Sequence, residues 1–259
     1  MVEGLPAPGA FDSHTHLDFM KLPVPGVLEA AAAAGINRMV TVGTDLETSR
    51  WSAACASEYE PVYAAVAIHP NDVTGVDWST ADELEALAAS PRVVAIGETG
   101  LDYYRDHAEP ALQQEWFRAH IGIAKRTGKA LMIHDREAHA DVLRILAEEG
   151  PPEKVIFHCF SGDAEMAKVC ADAGYVMSFA GNVTFTNAGN LREAAIAAPV
   201  DLILAETDAP FLTPVPHRGK PNSPAMTAYT IRFLAELKGL EVAALCEHLT
   251  ATGARVFNW

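Results

Sequence analysis

Phe11-Asp12-Ser13-His14-Thr15-His16-Leu17-Asp18 sets the reading of the chain. An apolar opening runs into two histidines two positions apart. On a β-strand such residues point to the same side, so His14 and His16 aim two imidazoles at one place. Two neutral imidazoles on a strand end supply half of a divalent-metal site. A bare His-x-His pair is commonplace, so the reading turns on whether later segments deliver further ligands at equivalent positions.

Working outward, eight short apolar runs read as strands: 11–16, 36–43, 62–70, 93–98, 130–134, 155–158, 175–179 and 202–208. Helical stretches alternate with them, at 27–34, 46–59, 81–89, 110–127, 138–149, 164–173 and 191–197, and two more follow at 224–237 and 241–256. The runs are nearly continuous in hydrophobicity, as strands covered on both faces are. Alternation of this kind implies parallel strands joined by helical crossovers. Eight of them in 259 residues predict an α/β fold of the single (β/α)8 TIM-barrel type, which takes roughly 250 residues. No G-x-G-x-x-G follows the first run, which argues against an open dinucleotide-binding sheet. Residues 1–9, rich in Pro and Gly, read as a short leader. Without a linker or charge block, residues 1–259 read as one domain.

Hydrophobic residues make up 49% of the chain and charged residues 20%, enough for a large core and far from a disordered composition. Cys55, Cys159, Cys170 and Cys246 include no C-x-x-C pair and fit reduced thiols of a cytoplasmic protein. There is no basic-then-apolar signal pattern and no apolar run of the ~18–20 residues that spans a bilayer. No membrane partner is expected. A net charge of −15 excludes a protein that coats nucleic acid through a broad basic face. It leaves room for a phosphate substrate, because metal ions and a few local cations can present positive charge in a pocket.

The ends of the strand-like runs carry the chemistry. They hold His14 and His16, Gly43, His69, Glu98, His134, His158, Ser178 and Asp208. In a barrel these carboxyl ends share one face, where such enzymes build their active sites. Six of the residues (His14, His16, Glu98, His134, His158, Asp208) are nitrogen or carboxylate ligands suited to a divalent transition metal. Six exceed one tetrahedral ion and suit two, with a carboxylate shared between them.

On these residues the chain resembles the TatD-like metal-dependent deoxyribonucleases of the amidohydrolase superfamily, over nearly its whole length. The similar segments are Phe11-Asp12-Ser13-His14-Thr15-His16, Val42-Gly43-Thr44-Asp45, Gly97-Glu98-Thr99-Gly100-Leu101-Asp102-Tyr103-Tyr104, His134-Asp135-Arg136-Glu137-Ala138, His158-Cys159-Phe160-Ser161-Gly162 and Glu206-Thr207-Asp208-Ala209-Pro210. The resemblance implies that His14 and His16 bind a first metal, that Glu98 bridges both, that His134 and His158 bind the second, and that Asp208 contacts the first metal and the attacking water. Glu98 and Asp208 are thereby the catalytic carboxylates. It implies two divalent ions per chain (Mg, Mn or Zn) and 3′→5′ exonuclease action on single-stranded DNA or another phosphodiester, in a monomer.

Substrate contacts are expected from His69, Arg136, Ser161, Tyr103, His217, Arg218 and Lys220. His69 reads equally as a hydrogen-bonded loop histidine, and Asn71 stands where many relatives have a second histidine. Arg136 offers a bidentate phosphate contact or a surface position on the following helix. His217-Arg218-Gly219-Lys220 resembles the family's H-R-G-K segment and follows the eighth run, where barrels often hold phosphate. Tyr103 and Tyr104 can stack on a base or merely pack. His107, His120, His139 and His248 occupy no special position and read as surface or core residues. Two rival readings stay in view: a C–N or ester hydrolase of the same superfamily, and a non-catalytic metal-binding barrel.

Overall fold

The computed structural model describes residues 4–105 and 107–259. The first three residues of the expected leader lie outside the described residues. Eight strands alternate with helices: β1 (Ala10–Thr15), α1 (Val24–Ala33), β2 (Ile36–Val42), α2 (Leu46–Glu58), β3 (Val62–Val66), α3 (Thr80–Ala88), β4 (Val93–Asp102), α4 (Pro110–Thr127), β5 (Ala130–Arg136), α5 (His139–Glu149), β6 (Val155–Phe157), α6 (Ala164–Asp172), β7 (Val176–Phe179), α7 (Gly189–Ala197), β8 (Ile203–Ala205), α8 (Thr227–Lys238) and α9 (Val242–Phe257). The strands form one sheet in the order β1 to β8. Pairing is parallel for β3–β4, β4–β5, β5–β6 and β7–β8. A parallel bridge between Thr15 and Ala209 sets the segment after β8 beside β1. The fold class is the expected (β/α)8 type.

Local chemistry accounts for the helix starts. Asp45 caps α2, accepting from the Thr48 backbone N–H at 2.7 Å, while the Thr48 hydroxyl accepts from the Asp45 N–H. This reciprocal pair is a capping box. Pro110 opens α4, where a missing N–H costs nothing.

Two compact units are distinguished, one running up to Val40 and resuming at Cys159–Trp259, the other Thr41–His158. In the first, Phe11 of β1 is buried with its ring edge-on to Phe257 and Trp259. The buried Ser13 hydroxyl hydrogen-bonds Ser178 of β7 at 2.8 Å and donates to the carbonyl of Ala205 in β8. In the second, the β3–β6 strands are buried almost throughout, and Trp116 of α4 stacks on Trp78 at 4.4 Å.

Several expected strand ends move. β3 stops at Val66 and β8 at Ala205, so His69 and Asp208 each lie three residues beyond their strands. Leu202, expected in the eighth strand, belongs to a 3-10 turn. β4 instead continues past Glu98 to Asp102. Apolar runs mark burial, and burial continues past the last ladder bond, so the runs overstate β3 and β8.

Candidate metal centres

In the first unit, His14, His16 and Asp208 come together. The Nε2 atoms of His14 and His16 stand 3.2 Å apart. Asp208 Oδ1 is 3.7 Å from the first and 3.5 Å from the second. His14 belongs to β1 and His16 follows it, as the alternation of a strand requires. Asp208 arrives differently. Its N–H donates to the His14 carbonyl at 3.0 Å, and the preceding Thr207 is bound twice by Asp12 of β1. The Thr207 N–H donates to Oδ1 at 2.9 Å and its hydroxyl to Oδ2 at 2.5 Å. Asn222 donates to the Thr207 carbonyl. Asp208 itself adopts φ 51°, a left-handed conformation that Asp and Asn tolerate better than most residues. Asp12 is fully buried, and burial pushes its pKa up to about 8 against these donated hydrogen bonds.

In the second unit, Glu98 is the hub. Its Oε1 lies 2.7 Å from His134 Nδ1, 2.8 Å from His158 Nε2 and 3.5 Å from His69 Nε2. The β4–β5 register shifts between Ile96 and Thr99, so Glu98 projects from an irregularity inside the strand. Two glycines permit it. A Cβ on Gly97 would sit 2.5 Å from Met132 Cβ, and one on Gly100, at φ 134°, would sit 2.1 Å from the His134 carbonyl oxygen. His134 presents Nε2 to Asp102 Oδ2 at 3.2 Å, which turns Nδ1 toward Glu98. Asn71 donates to the same Asp102 oxygen at 3.0 Å, and the N–H groups of Tyr104 and Arg105 donate to Oδ1. Burial alone would raise the Asp102 carboxyl, but the hydrogen bonds from His134 and Asn71 outweigh it and hold it below the usual range. Burial lowers His134, yet Asp102 and Glu98 outweigh that and raise it. His69 is lowered, chiefly by burial. Its Nδ1 accepts from the Asn71 N–H at 3.1 Å, which leaves the ring proton on Nε2, the nitrogen nearer Glu98.

The donor sets fit divalent ions. Ligand atoms at ~2.1 Å from a tetrahedral or octahedral ion stand about 3.0–3.4 Å apart. The first set spans 3.2–3.7 Å. In the second, His134 Nδ1 and His158 Nε2 are 3.4 Å apart, each within 2.8 Å of Glu98 Oε1. Imidazole suits Zn and carboxylate suits Mg and Mn, so the mixed sets do not select one of the three.

The remaining predicted residues are placed less centrally. The Arg136 guanidinium lies 3.9 Å over the exposed Tyr104 ring. Tyr103 is tied to its surroundings, donating to Asp141 at 2.8 Å and accepting from Gln114 at 2.7 Å. Ser161 is exposed. The His217 ring meets Tyr229 edge-on at 4.6 Å, and Arg218 stacks 3.7 Å over Phe185. The Lys220 N–H donates to the His217 carbonyl, and its own carbonyl accepts from Thr213.

His120 is a core residue, one of the two placements expected of it, and the structure adds the partners it holds there. It is fully buried, accepts the Ile68 N–H on Nε2 at 3.2 Å and bonds Thr99 through Nδ1 at 2.8 Å. It thus ties α4 to the residue before His69 and the residue after Glu98. Asp12, Asp102 and Glu206 also went unassigned; Glu206 accepts the Cys159 N–H at 2.9 Å, next in the chain to His158. Asp12, Asp102 and Glu206 sit within the quoted motifs, which was the available signal, whereas nothing local marks His120.

The model of the family described as TatD related DNase matches residues 11–258. A metal-dependent hydrolase TatD of Mycobacterium tuberculosis is 51% identical over 259 residues, covering 96% of this chain and 98% of that protein. The metal-dependent hydrolase YcfH of Escherichia coli K12 is 40% identical over 253 residues, covering 95% of each. The crystal structure of YJJV, a TatD homologue from Escherichia coli K12, superposes with a TM-score of 0.92 at 28% identity, covering 96% and 98%. The chain belongs to the TatD-related DNase family of metal-dependent hydrolases.

Proposed function

We propose that the chain is a divalent-metal-dependent phosphodiesterase acting as a 3′→5′ exonuclease on single-stranded DNA. The observation that carries the reading is the convergence of His14, His16 and Asp208, two buried imidazoles and a carboxylate within 3.7 Å. The family's description as a DNase supports the choice of substrate.

In this reading His14, His16 and Asp208 would hold one ion and Glu98, His134 and His158 a second, with Glu98 the carboxylate that the family resemblance would share between them. Divalent ions held there would supply Lewis-acid polarisation of the phosphoryl group and a more acidic water, with a pKa toward ~7. Asp208 orients the attacking water and accepts its proton. His69, protonated on Nε2, donates to a non-bridging phosphate oxygen. Asp102 keeps His134 in the tautomer that offers Nδ1. Arg136, Arg218 and Lys220 meet phosphates along the strand, with Ser161, Tyr103 and His217 as further contacts. The protein works as a cytoplasmic monomer. Among the described residues, no helix is long and apolar enough to cross a membrane.

The test uses a 5′-labelled single-stranded oligonucleotide with Mg²⁺, Mn²⁺ or Zn²⁺. A ladder of products shortened from the 3′ end is expected. An intact strand with all three metals overturns the reading.

A further inference from the structure

We propose that Phe19 and Phe211 form an aromatic platform that holds a nucleobase of the substrate beside the His14–His16–Asp208 ligands; the proposal rests on the phosphodiesterase reading and deepens it. Both rings are large apolar groups left in solvent, 48% and 52% exposed. Both touch the same metal-ligating side chain. Phe19 stacks on the His16 ring, centroids 5.4 Å apart and planes 24° from parallel, and Phe211 meets that ring edge-on at 6.3 Å.

Their backbones are fixed. Phe19 closes a one-turn 3-10 segment, Leu17–Phe19, with its N–H bonded to the His16 carbonyl. Phe211 ends a tight turn in which its N–H donates to the Asp208 carbonyl at 2.8 Å. The buried Asn222 amide clasps the Phe211 carbonyl as well as that of Thr207. An exposed aromatic on a rigid turn loses little entropy when a flat partner settles on it.

The occupant follows from what surrounds the pair. A base stacks on any aromatic face whatever its sequence. A nucleotide also brings a phosphate, and the His16 ring that both phenylalanines touch belongs to the His14, His16 and Asp208 set that suits a cation. An acidic chain of net charge −15 gains no base-independent affinity from its overall field, so stacking is the natural source of grip on the base itself.

Metal-stripped wild type, Phe19→Ala and Phe211→Ala are titrated against a fluorescent thymidine oligonucleotide and an abasic oligonucleotide of equal length, by anisotropy. Each substitution is expected to weaken thymidine binding by about 5- to 100-fold, the range for loss of one stacked base, and to leave abasic binding unchanged. Phe19→Trp, which keeps the face, should bind like wild type. Equal weakening on both oligonucleotides, or none on either, overturns the platform, as does a variant whose only change is loss of self-association in sedimentation velocity. Retained metal-dependent hydrolysis with base-independent binding overturns the platform alone. Absence of hydrolysis overturns the phosphodiesterase reading alone, and the binding comparison still decides the platform.

Discussion

Asp208 combines a left-handed backbone with a carboxylate 3.5 Å from His16 Nε2. The conformation favours Asp or Asn, so Asp208→Asn preserves the fold while removing most of the basicity. At saturating metal, kcat is expected to fall about 10²- to 10⁴-fold, the range for loss of general-base assistance; a steady-state rate within a few fold of wild type would reduce Asp208 to a structural group. Asp102 acts one bond further out. Asp102→Asn keeps its shape and sets an amide N–H against His134 Nε2, opposing the tautomer that offers Nδ1. Metal affinity measured by calorimetry should drop about 10- to 100-fold, as for other carboxylates that orient a ligating histidine. Unchanged affinity would mean that His134 needs no such support.

Glu98 is placed by a strand that the sequence reading ended too early. β4 runs through Glu98 to Asp102, and its irregularity depends on Gly97 and Gly100. Gly100→Ala puts a Cβ against the His134 carbonyl at a φ that L-residues avoid, so a loss of about 3 kcal/mol or more in urea unfolding is expected. A midpoint equal to that of wild type would show that β4 relaxes around the methyl group. The six candidate ligands are legible as candidates because each stands at or near the end of an apolar run, and a repeated placement is visible in one dimension. The supports are not, because they act across the fold. Asp12 meets Thr207 across 195 positions, and His120 meets Ile68 across 52. Neither distance leaves a local pattern. Phe19 and Phe211 read as ordinary apolar residues until their exposure is known.

At the scale of the whole molecule, His120 links stability to pH. Burial lowers its pKa from 6.5 to about 4, while a hydrogen bond to the Trp116 backbone acts in the opposite direction. The unfolded chain therefore binds a proton below pH 6.5 that the folded chain refuses until about pH 4. Stability from the neutral imidazole is complete above the unfolded value and is lost as pH falls through this window, up to about 3 kcal/mol in all. Between pH 7 and pH 5, wild type should lose roughly 2 kcal/mol more in urea unfolding than His120→Gln. The comparison cancels Asp12, whose raised pKa makes stability fall as pH rises. Equal pH slopes would mean that His120 charges freely in the folded state. The central claim is that the two donor sets hold the ions on which phosphodiester hydrolysis depends. It is tested most directly by turnover of a chromogenic phosphodiester during titration of Mn²⁺ into protein verified as metal-free. The account predicts no turnover at the start and a rate that saturates as the second equivalent is bound; full turnover in the metal-free sample would contradict it.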